Sequence, residues 1–407
     1  MKMHFFILLI LCTLSSFTRS DPETGETVPD EEEDEELTAE HKLTHALGNF
    51  GIDLFRQALQ DQGDSNYLLS PLPIGAGLVS MMLGSTSGSE TQQQLSSVLQ
   101  LDTLRDMDVG KTLQEVLKSF NAGPQPLRQL ARLYVKRRLR PKKDFVALHR
   151  QLFGSALGPM IGRSQHDLSR MNQWLRKQLP TTVRDAVAKL PDSADLILLS
   201  AALLQAELQF QKTNGIFHLD AERTERVPFL TQDSVPMKYG FDTELDCEVG
   251  GLPLAGNSIL VLFLPKEITK NLSAIVHSLS AEFTTDIVNA LHDVNAKITL
   301  PILKLKQTSD LTEPLKQMGL THVFSSEAQL KLISDQSAPL TSVKHFASLQ
   351  LKHRKQSSHA RRQDANREKQ RTHILFNVDR PFVLAIQHVP TRSLLYVGRI
   401  YNPVAAA

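Results

Sequence analysis

The sequence predicts a single mixed α+β domain that extends from residue 41 to residue 403 of the 407-residue chain. Three observations lead to this fold class. Apolar residues have helical spacing from residue 41 to about residue 100, whereas helix and strand patterns mix from residue 125 onward. No internal repeat or linker-like composition divides this region. A hydrophobic content of 41% is enough for one large core.

A secretory signal peptide is predicted at residues 1–20. The segment "MKMHFFILLILCTLSSFTRS" has a basic start, an apolar run from Phe5 to Leu14, and small polar residues before a cleavage site at Ser20 or Thr18. The apolar run is shorter than the roughly 20 residues that a membrane anchor needs. The protein is therefore expected to be secreted and extracellular, without membrane insertion.

An acidic tail is predicted at residues 21–40, "DPETGETVPDEEEDEELTAE". Like charges at this density repel one another, and no apolar periodicity is present to offset the entropy of ordering. We expect this segment to be disordered. The whole chain has a formal charge of only +1, which argues against bulk attraction to nucleic acid or to an anionic membrane.

The helical part begins with "HKLTHALGNFGIDLFRQALQ", in which apolar residues recur every three or four positions from Leu43 onward. The next segment starts at Ser70, "SPLPIGAGLVSMMLGSTSGSETQQQLSSVL", and predicts a Ser-capped, nearly all-apolar buried helix followed by a second helix. Further along, "MNQWLRKQL" predicts a helix that ends at Pro180, and "DLTEPLKQMGL" a short helix that ends at Gly319.

The strand signals are strongest in the second half. The long apolar run "ADLILLSAALLQAELQF" predicts a central strand, and "NSILVLFLP" a buried strand closed by Pro265. The alternation of apolar and polar residues in "AKITLPILKLKQ" predicts a half-exposed strand. Near the end, "RPFVLAIQHV" and "SLLYVGRIYNP" predict two strands joined by the turn "PTRS".

The cysteine count excludes an internal disulfide in the mature chain. Cys12 lies in the signal peptide, so Cys247 remains alone and is expected to be a buried strand residue. The sequence has one N-x-Ser/Thr sequon, "NLS" at Asn271. The secretory route makes Asn271 the expected glycosylation site.

Catalytic motifs are scarce, and we expect no enzyme activity. "GSTSG" has Thr86 where a nucleophile elbow needs Ser, and "GKT" at Gly110 lacks the upstream glycine of a phosphate-binding loop. His41 and His45 are spaced as two ligands on a helix could be, but no glutamate motif accompanies them. No metal site and no cofactor are predicted.

A basic cluster lies in "YVKRRLRPKKDF", residues 134–145. Six cations occupy eight positions: Lys136, Arg137, Arg138, Arg140, Lys142 and Lys143. If the segment is a strand, Lys136, Arg138 and Arg140 share one face. Close cations repel one another, so an anionic partner is expected, and outside the cell this is a sulfated glycosaminoglycan, whose sulfate groups suit the planar fork of Arg. The alternative is a face that only aids solubility.

A second basic tract, "LKHRKQSSHARRQDANREKQRTH" at residues 351–373, contains eight Lys or Arg against two acids. It separates two strongly apolar stretches and has almost no apolar residue of its own. Such a composition is typical of a solvated loop.

The C-terminal segment "FNVDRPFVLAIQHVPTRSLLYVGRIYNP" (376–403) resembles the C-terminal signature of the serpins. "NFGIDLFRQAL" and "NYLLSPLPIGAGLVSMMLGSTSGSETQQQL", between residues 49 and 95, resemble the first serpin helices, and further family blocks follow in order. The resemblance covers residues 41 to 403. It implies an α+β fold with three β-sheets, A, B and C, about nine α-helices, and an exposed reactive-centre loop at about 352–373.

The resemblance also implies that protease inhibition would require this loop to enter sheet A as an extra strand after cleavage. Inhibitory serpins have small residues in the hinge, but here the hinge is "HRKQSSHARR" (353–362), with Lys355 near the usual glycine. Ser200, Ala206 and Leu208 also replace the Asn, Gly and Trp of a family strand. Burying unpaired charges is costly, so insertion is expected to stall.

Three functional hypotheses remain. The first is a secreted non-inhibitory serpin, an extracellular signalling factor of the anti-angiogenic and neurotrophic type. The second is an inhibitor of trypsin-like serine proteases, with Lys369 or Arg371 as bait residues in the loop. The third is a carrier serpin that holds a small ligand. The charged hinge favours the first hypothesis over the second.

For the first hypothesis the resemblance implies two matrix partners and a cell-surface receptor that the sequence does not identify. Heparin-type glycosaminoglycan is expected at positions corresponding to Arg137, Arg138 and Arg140. Collagen is expected at an acidic surface, onto which Asp242, Glu244 and Asp286 map. We expect the protein to act as a monomer.

Overall fold

The structure is a computed structural model that describes residues 37–104, 106–120, 127–179, 186–268, 271–354 and 374–404. The predicted signal peptide and nearly all of the predicted acidic tail lie outside the described residues. So do residues 355–373 of the predicted reactive-centre loop, including Lys369 and Arg371.

Nine α-helices lie in the described part of the chain. They are α1 Ala39–Leu59, α2 Pro71–Leu83, α3 Glu90–Val98, α4 Val109–Ser119, α5 Lys143–Phe153, α6 Ser164–Gln178, α7 Ser273–Ser278, α8 Ala281–Ala290 and α9 Thr312–Gln317. Helix α1 starts two residues before the predicted domain boundary because the Thr38 side chain caps it, accepting a hydrogen bond from the backbone N–H of His41. Ser70 precedes α2 as predicted, but its hydroxyl donates to the carbonyl of Leu395 at 2.6 Å and does not cap the helix.

Fourteen strands accompany these helices in the described ranges. They are β1 Tyr67–Leu69, β2 Leu127–Lys136, β3 Gly158–Met160, β4 Leu196–Leu208, β5 Gln211–His218, β6 Thr224–Asp242, β7 Cys247–Leu254, β8 Ser258–Pro265, β9 His292–Pro301, β10 Lys304–Asp310, β11 Leu340–His353, β12 Ile374–Asn377, β13 Phe382–His388 and β14 Ser393–Ile400. The α+β prediction is confirmed.

Five strands form one sheet in the order β10–β11–β4–β2–β3. The apolar run predicted to be a central strand is β4, in the middle of this sheet. Strand β4 is antiparallel to β2 on one side and parallel to β11 on the other. This sheet therefore corresponds to sheet A of the predicted fold.

The other nine strands form a second sheet in the order β1–β14–β13–β8–β7–β6–β9–β12, with β5 also paired to β6. Strand β6 has an irregularity in its pairing with β9 between Gln232 and Val235. Before this bulge it pairs with β5, and after it with β7. Two of the three predicted sheets are thus continuous through one long, bulged strand.

The core lies between the two sheets. Helix α2 is buried there and contacts β2 and β4 of the five-stranded sheet and β14 of the other. Gly77 allows this close approach, because a Cβ atom at its position would lie 2.7 Å from the side chain of Leu198. On the opposite face of the five-stranded sheet, a smaller cluster packs Met171 and Leu175 of α6 against Tyr134 and its neighbours. Cys247 is buried at the start of β7 and forms no disulfide within the described residues, as predicted.

Candidate functional site

Strand β11 leads directly into the predicted reactive-centre loop, so its pairing decides whether the sheet is open or closed. It lies beside β4 from Leu340, opposite Leu196, to His353, opposite Leu208. The backbone N–H of Arg354 then donates to the carbonyl of Leu208 at 2.8 Å. The two strands are therefore hydrogen-bonded up to the point where the loop departs, and no strand lies between them.

A buried polar network links these two strands to α2. The imidazole of His345 lies 2.9 Å (Nδ1) from the hydroxyl of Ser200, and its Nε2 accepts a hydrogen bond from the backbone N–H of Ser70 at 3.1 Å. Complete burial lowers the pKa of His345 to about 3, so the ring is neutral, with its proton on Nδ1. Ser200 departs from the family residue at this position, but it keeps β4 bonded to β11.

The other two departures lie nearer the end of β4. Ala206 and Leu208 are both buried, and neither carries a polar group. Around them, His353 bonds through Nδ1 to the carbonyl of Phe210, and Arg354 lies 3.9 Å from the carboxylate of Glu207. Arg354 thus lies where the pairing of β4 with β11 ends and the charged hinge begins. Lys369 and Arg371 lie outside the described residues, so their role as bait residues stays a prediction.

The basic cluster folds as a turn, so the condition under which Lys136, Arg138 and Arg140 would share one strand face is not met. Strand β2 ends at Lys136, residues 137–139 form a single 3₁₀ turn, and Arg140 has left-handed backbone angles (φ 46°, ψ 71°). Pro141 follows and α5 begins at Lys143. A hydrogen bond from the backbone N–H of Arg140 to the carbonyl of Arg137 closes this turn, and Pro141 has no N–H with which to continue a β-ladder. Leu139, inside the turn, is buried. Alternation of side chains therefore does not decide which cations share a face.

Three of the six cations form ion pairs with carboxylates that the sequence pattern did not reveal. Arg138 lies 2.6 Å and Lys136 3.3 Å from the same oxygen of Asp195. Lys142 lies 2.8 Å from Asp335.

The other three cations, Arg137, Arg140 and Lys143, are exposed and make no ion pair within the described ranges. These three are the groups free to meet an anion.

The predicted acidic residues come from two elements. Asp242 ends β6, and its Oδ1 accepts hydrogen bonds from the backbone N–H groups of Glu244 (3.0 Å) and Leu245 (2.9 Å), which shapes the turn into β7. Glu244 is exposed in this turn, and Asp286 is exposed on α8. The Asp242 carboxylate thus stabilises the turn between β6 and β7, whereas Glu244 and Asp286 are exposed surface carboxylates.

Asn271 is exposed in the geometry of an Asx turn. Its Oδ1 accepts hydrogen bonds from both the backbone N–H (2.8 Å) and the hydroxyl (2.7 Å) of Ser273, the third residue of the sequon. The side-chain oxygen is therefore engaged, while the amide nitrogen, the atom that carries an N-linked glycan, is not among these bonds.

We expect Asn271 to carry a single N-linked glycan. An Asn271→Gln variant secreted from animal cells should migrate as one smaller species, since Gln is not an acceptor. Peptide N-glycosidase treatment should convert the wild-type protein to the same species and leave the variant unchanged. A wild-type protein that does not shift after this treatment would contradict the assignment.

Among the described residues, no helix is long and apolar enough to cross a bilayer. No group of three or more His, Cys, Asp or Glu side chains suitable for a metal ion occurs in the same ranges. His41 bonds to the carbonyl of Pro390, and His45 lies 3.6 Å from Glu282, so the two histidines face different partners.

A five-stranded sheet closed by the pairing of β4 with β11, beside a nine-stranded sheet, defines the class of protein. The family model "Serpin (serine protease inhibitor)" matches residues 45–403, and the chain belongs to the serpin family.

Human pigment epithelium-derived factor is 30% identical over 400 residues, which cover 94% of each chain. Mouse alpha-2-antiplasmin is 29% identical over 373 residues, 90% of this chain and 73% of that protein. The crystal structure of mouse protein-Z dependent protease inhibitor has a TM-score of 0.80 at 22% identity, covering 90% of this chain and 98% of that chain. At this identity the likeness shows the fold alone. Serpin membership indicates a class described by inhibition of proteases and not by catalysis.

Proposed function

We propose that this chain is a secreted, non-inhibitory serpin that acts as an extracellular signalling factor and binds sulfated glycosaminoglycan and collagen. The observation that carries the proposal is the charged hinge at the end of a closed sheet. Similarity to human pigment epithelium-derived factor supports the role of a factor. The anti-angiogenic and neurotrophic type and the cell-surface receptor are part of the proposal.

Loop insertion would place residues 353–362 as a strand between β4 and β11. Side chains alternate in a strand, so one set of five would face the core. One set contains Arg354 and Arg362, and the other contains Lys355 and Arg361. Either register therefore buries two unpaired cations.

The energies of the two opposing effects are similar in size. About ten new hydrogen bonds at about 1 kcal/mol each favour insertion. Two unpaired buried cations at about 3–5 kcal/mol each oppose it. Insertion then has no net driving force, and a protease that cleaves the loop is not trapped.

The test of this part of the proposal is incubation with trypsin. Trypsin should cleave the loop as an ordinary substrate, because Lys and Arg are abundant there, and no SDS-stable complex should form. The reaction is followed by gel electrophoresis and by residual trypsin activity, with catalytically inactive trypsin as the control. A covalent complex and stoichiometric loss of trypsin activity would favour the alternative function, an inhibitor of trypsin-like serine proteases.

Glycosaminoglycan binding is supported by the unequal pairing within the basic cluster. Asp195 and Asp335 neutralise part of it, whereas Arg137, Arg140 and Lys143 remain exposed and unpaired in the described part of the chain. Three exposed cations within seven residues repel one another unless an anion lies between them. A flexible sulfated polysaccharide meets this requirement.

Collagen binding through Asp242, Glu244 and Asp286 is expected to be electrostatic, because a collagen triple helix presents Lys and Arg side chains. The triple change Asp242→Asn, Glu244→Gln and Asp286→Asn should lower retention on immobilised collagen severalfold. Asn at position 242 keeps an oxygen that can accept the two turn hydrogen bonds. The exposed Asp61→Asn serves as the control and should leave retention unchanged. Equal retention of the triple variant and the wild type would rule out this surface.

A further inference from the structure

A small basic cleft lies between β2 and α6, apart from the basic cluster described above. It has a volume of about 170 Å³, and the residues that line it include Arg132, Tyr134, Gly158, Arg170, Trp174 and Lys177. This volume is below the roughly 300 Å³ of a pocket for a drug-sized ligand. The cleft can therefore take one small chemical group.

The guanidinium of Arg132 lines the cleft and packs against two aromatic rings. The Cζ atom of Arg132 lies 5.3 Å from the ring centroid of Tyr134 and 5.2 Å from that of Trp174. The two rings meet edge to face, with centroids 6.4 Å apart. Nε of Arg132 also donates to the carbonyl of Ala156 at 3.0 Å. These contacts fix the guanidinium in place without neutralising its charge.

Gly158 makes room for this arrangement. A Cβ atom at Gly158 would lie 2.2 Å from the Tyr134 ring, so a side chain there would displace the ring. Burial raises the pKa of Tyr134 to about 12, while the positive charges of Arg132 and Arg170 act in the opposite direction. Because this pKa lies well above the physiological range, the Tyr134 hydroxyl stays protonated and able to donate a hydrogen bond.

The wall of the cleft comes from one face of α6. Arg170, Trp174 and Lys177 are four and three positions apart, the spacing that places side chains on one helix face. Arg170 and Lys177 are exposed and make no ion pair in the described ranges. The one acid of this helix, Asp167, is buried and accepts hydrogen bonds from the backbone N–H groups of Ile161 and Gly162. No carboxylate is among the described residues that line the cleft.

We propose that this cleft binds an oxyanion of the sulfate type, held by Arg132, Arg170 and Lys177 against the ring of Trp174. Three cations without a carboxylate favour an anion, and planar guanidinium groups match the paired oxygens of a sulfo group. The group can come from a free inorganic ion or from a sulfated polysaccharide. In the second case the inference rests on the proposed glycosaminoglycan function.

The polysaccharide source has a geometric basis. Arg132 and Lys136 lie on the same face of β2, four residues and therefore about 13 Å apart at ~3.3 Å per residue. Lys136 is at the start of the basic cluster. One sulfated chain that crosses the exposed cations of the cluster can therefore place a further sulfo group in the cleft.

Trp174 is the single tryptophan of the chain, so intrinsic fluorescence reports on the cleft directly. Sodium sulfate at ionic strength matched with sodium chloride is the first probe, and a heparin octasaccharide with its desulfated form is the second. A saturable change in Trp174 emission is expected with at least one of the two sulfated probes. Saturation by inorganic sulfate identifies a site for small ions, and saturation by the octasaccharide alone identifies a subsite for the polysaccharide.

The double variant Arg170→Gln and Lys177→Gln should need at least a tenfold higher concentration of the probe for half-saturation of the fluorescence change, because it removes two of the three cations. Both residues are exposed, so the fold should be unaffected, which circular dichroism will verify. Arg176→Gln, which removes an exposed cation of the same helix outside the cleft, should respond like the wild type. The proposal is overturned if neither probe gives a saturable change, or if the double variant retains the full response.

A cluster variant separates this inference from the proposed function. Arg137→Gln, Arg140→Gln and Lys143→Gln together should leave a response to inorganic sulfate intact, since none of these residues lines the cleft. If heparin retention survives in the cluster variant but is lost in the Arg170 and Lys177 variant, the cluster assignment fails while the cleft assignment stands. Loss of the sulfate response in the cluster variant would count against the cleft.

Discussion

Cleavage of the loop between residues 354 and 374 should leave the melting temperature within a few degrees of that of the intact protein. The loop can stabilise the molecule only by entering the sheet between β4 and β11, which are hydrogen-bonded to each other along their whole length. Either register of the inserted strand buries two cations, and this cost offsets the hydrogen bonds that insertion would add. The cleaved chain should keep a five-stranded sheet.

Differential scanning calorimetry before and after limited trypsin digestion measures this effect. Mass spectrometry must locate the cut within residues 355–373, and intact protein carried through the same buffers is the control. In an inhibitory serpin, insertion of the loop raises the melting temperature by tens of degrees. A rise of that size here would contradict the non-inhibitory function directly, because it could come only from an inserted strand.

Neutralising Arg137, Arg140 and Lys143 together should lower the affinity for heparin by about 100-fold. Each exposed cation near a dense anionic surface contributes about 1 kcal/mol to the binding free energy. The loss of three such cations costs about 3 kcal/mol, and since about 1.4 kcal/mol corresponds to a tenfold change in affinity, the expected loss is about 100-fold. Binding measured across a range of sodium chloride concentrations should show a smaller salt dependence in the variant, because fewer counterions are released.

The matched control for this variant removes three other exposed lysines. Lys212→Gln, Lys266→Gln and Lys304→Gln together give the same change in net charge away from the cluster. This variant should lose little affinity. If both triple variants lose the same amount of heparin affinity, binding depends only on the net charge of the protein, and the assignment to the cluster fails. Replacing the two Gln residues at positions 137 and 140 with Lys in place of the natural Arg should recover part of the affinity, because it returns the two positive charges.

The ion pairs inside the basic cluster also predict which cations contribute less to heparin affinity. Lys136 and Arg138 share Asp195, whose side chain is 14% exposed, and Lys142 reaches Asp335. These cations are already partly neutralised, so an anionic chain gains less from them. The resemblance to the family pointed to Arg138 equally with Arg137 and Arg140, and the structure separates them.

Most elements were predicted from the sequence because each has a clear period or a clear breaker. The central strand β4, the buried strand β8 ending at Pro265, and the two C-terminal strands are all where the apolar runs place them. The segment after Lys136 was not predicted, since its five cations and one proline give no apolar period. There a 3₁₀ turn and the left-handed backbone of Arg140, followed by Pro141, replace the strand.

The sequence by itself determined that the hinge is charged and that the chain folds as a serpin, because both depend on which residues follow one another along the chain. Only the tertiary structure decided which cations are free. Asp195 and Asp335 are far from the basic cluster in the chain, and only the folding of the chain places them against Lys136, Arg138 and Lys142. The cleft around Trp174 arises in the same way, because its cations come from a strand and a helix that meet only in the folded protein.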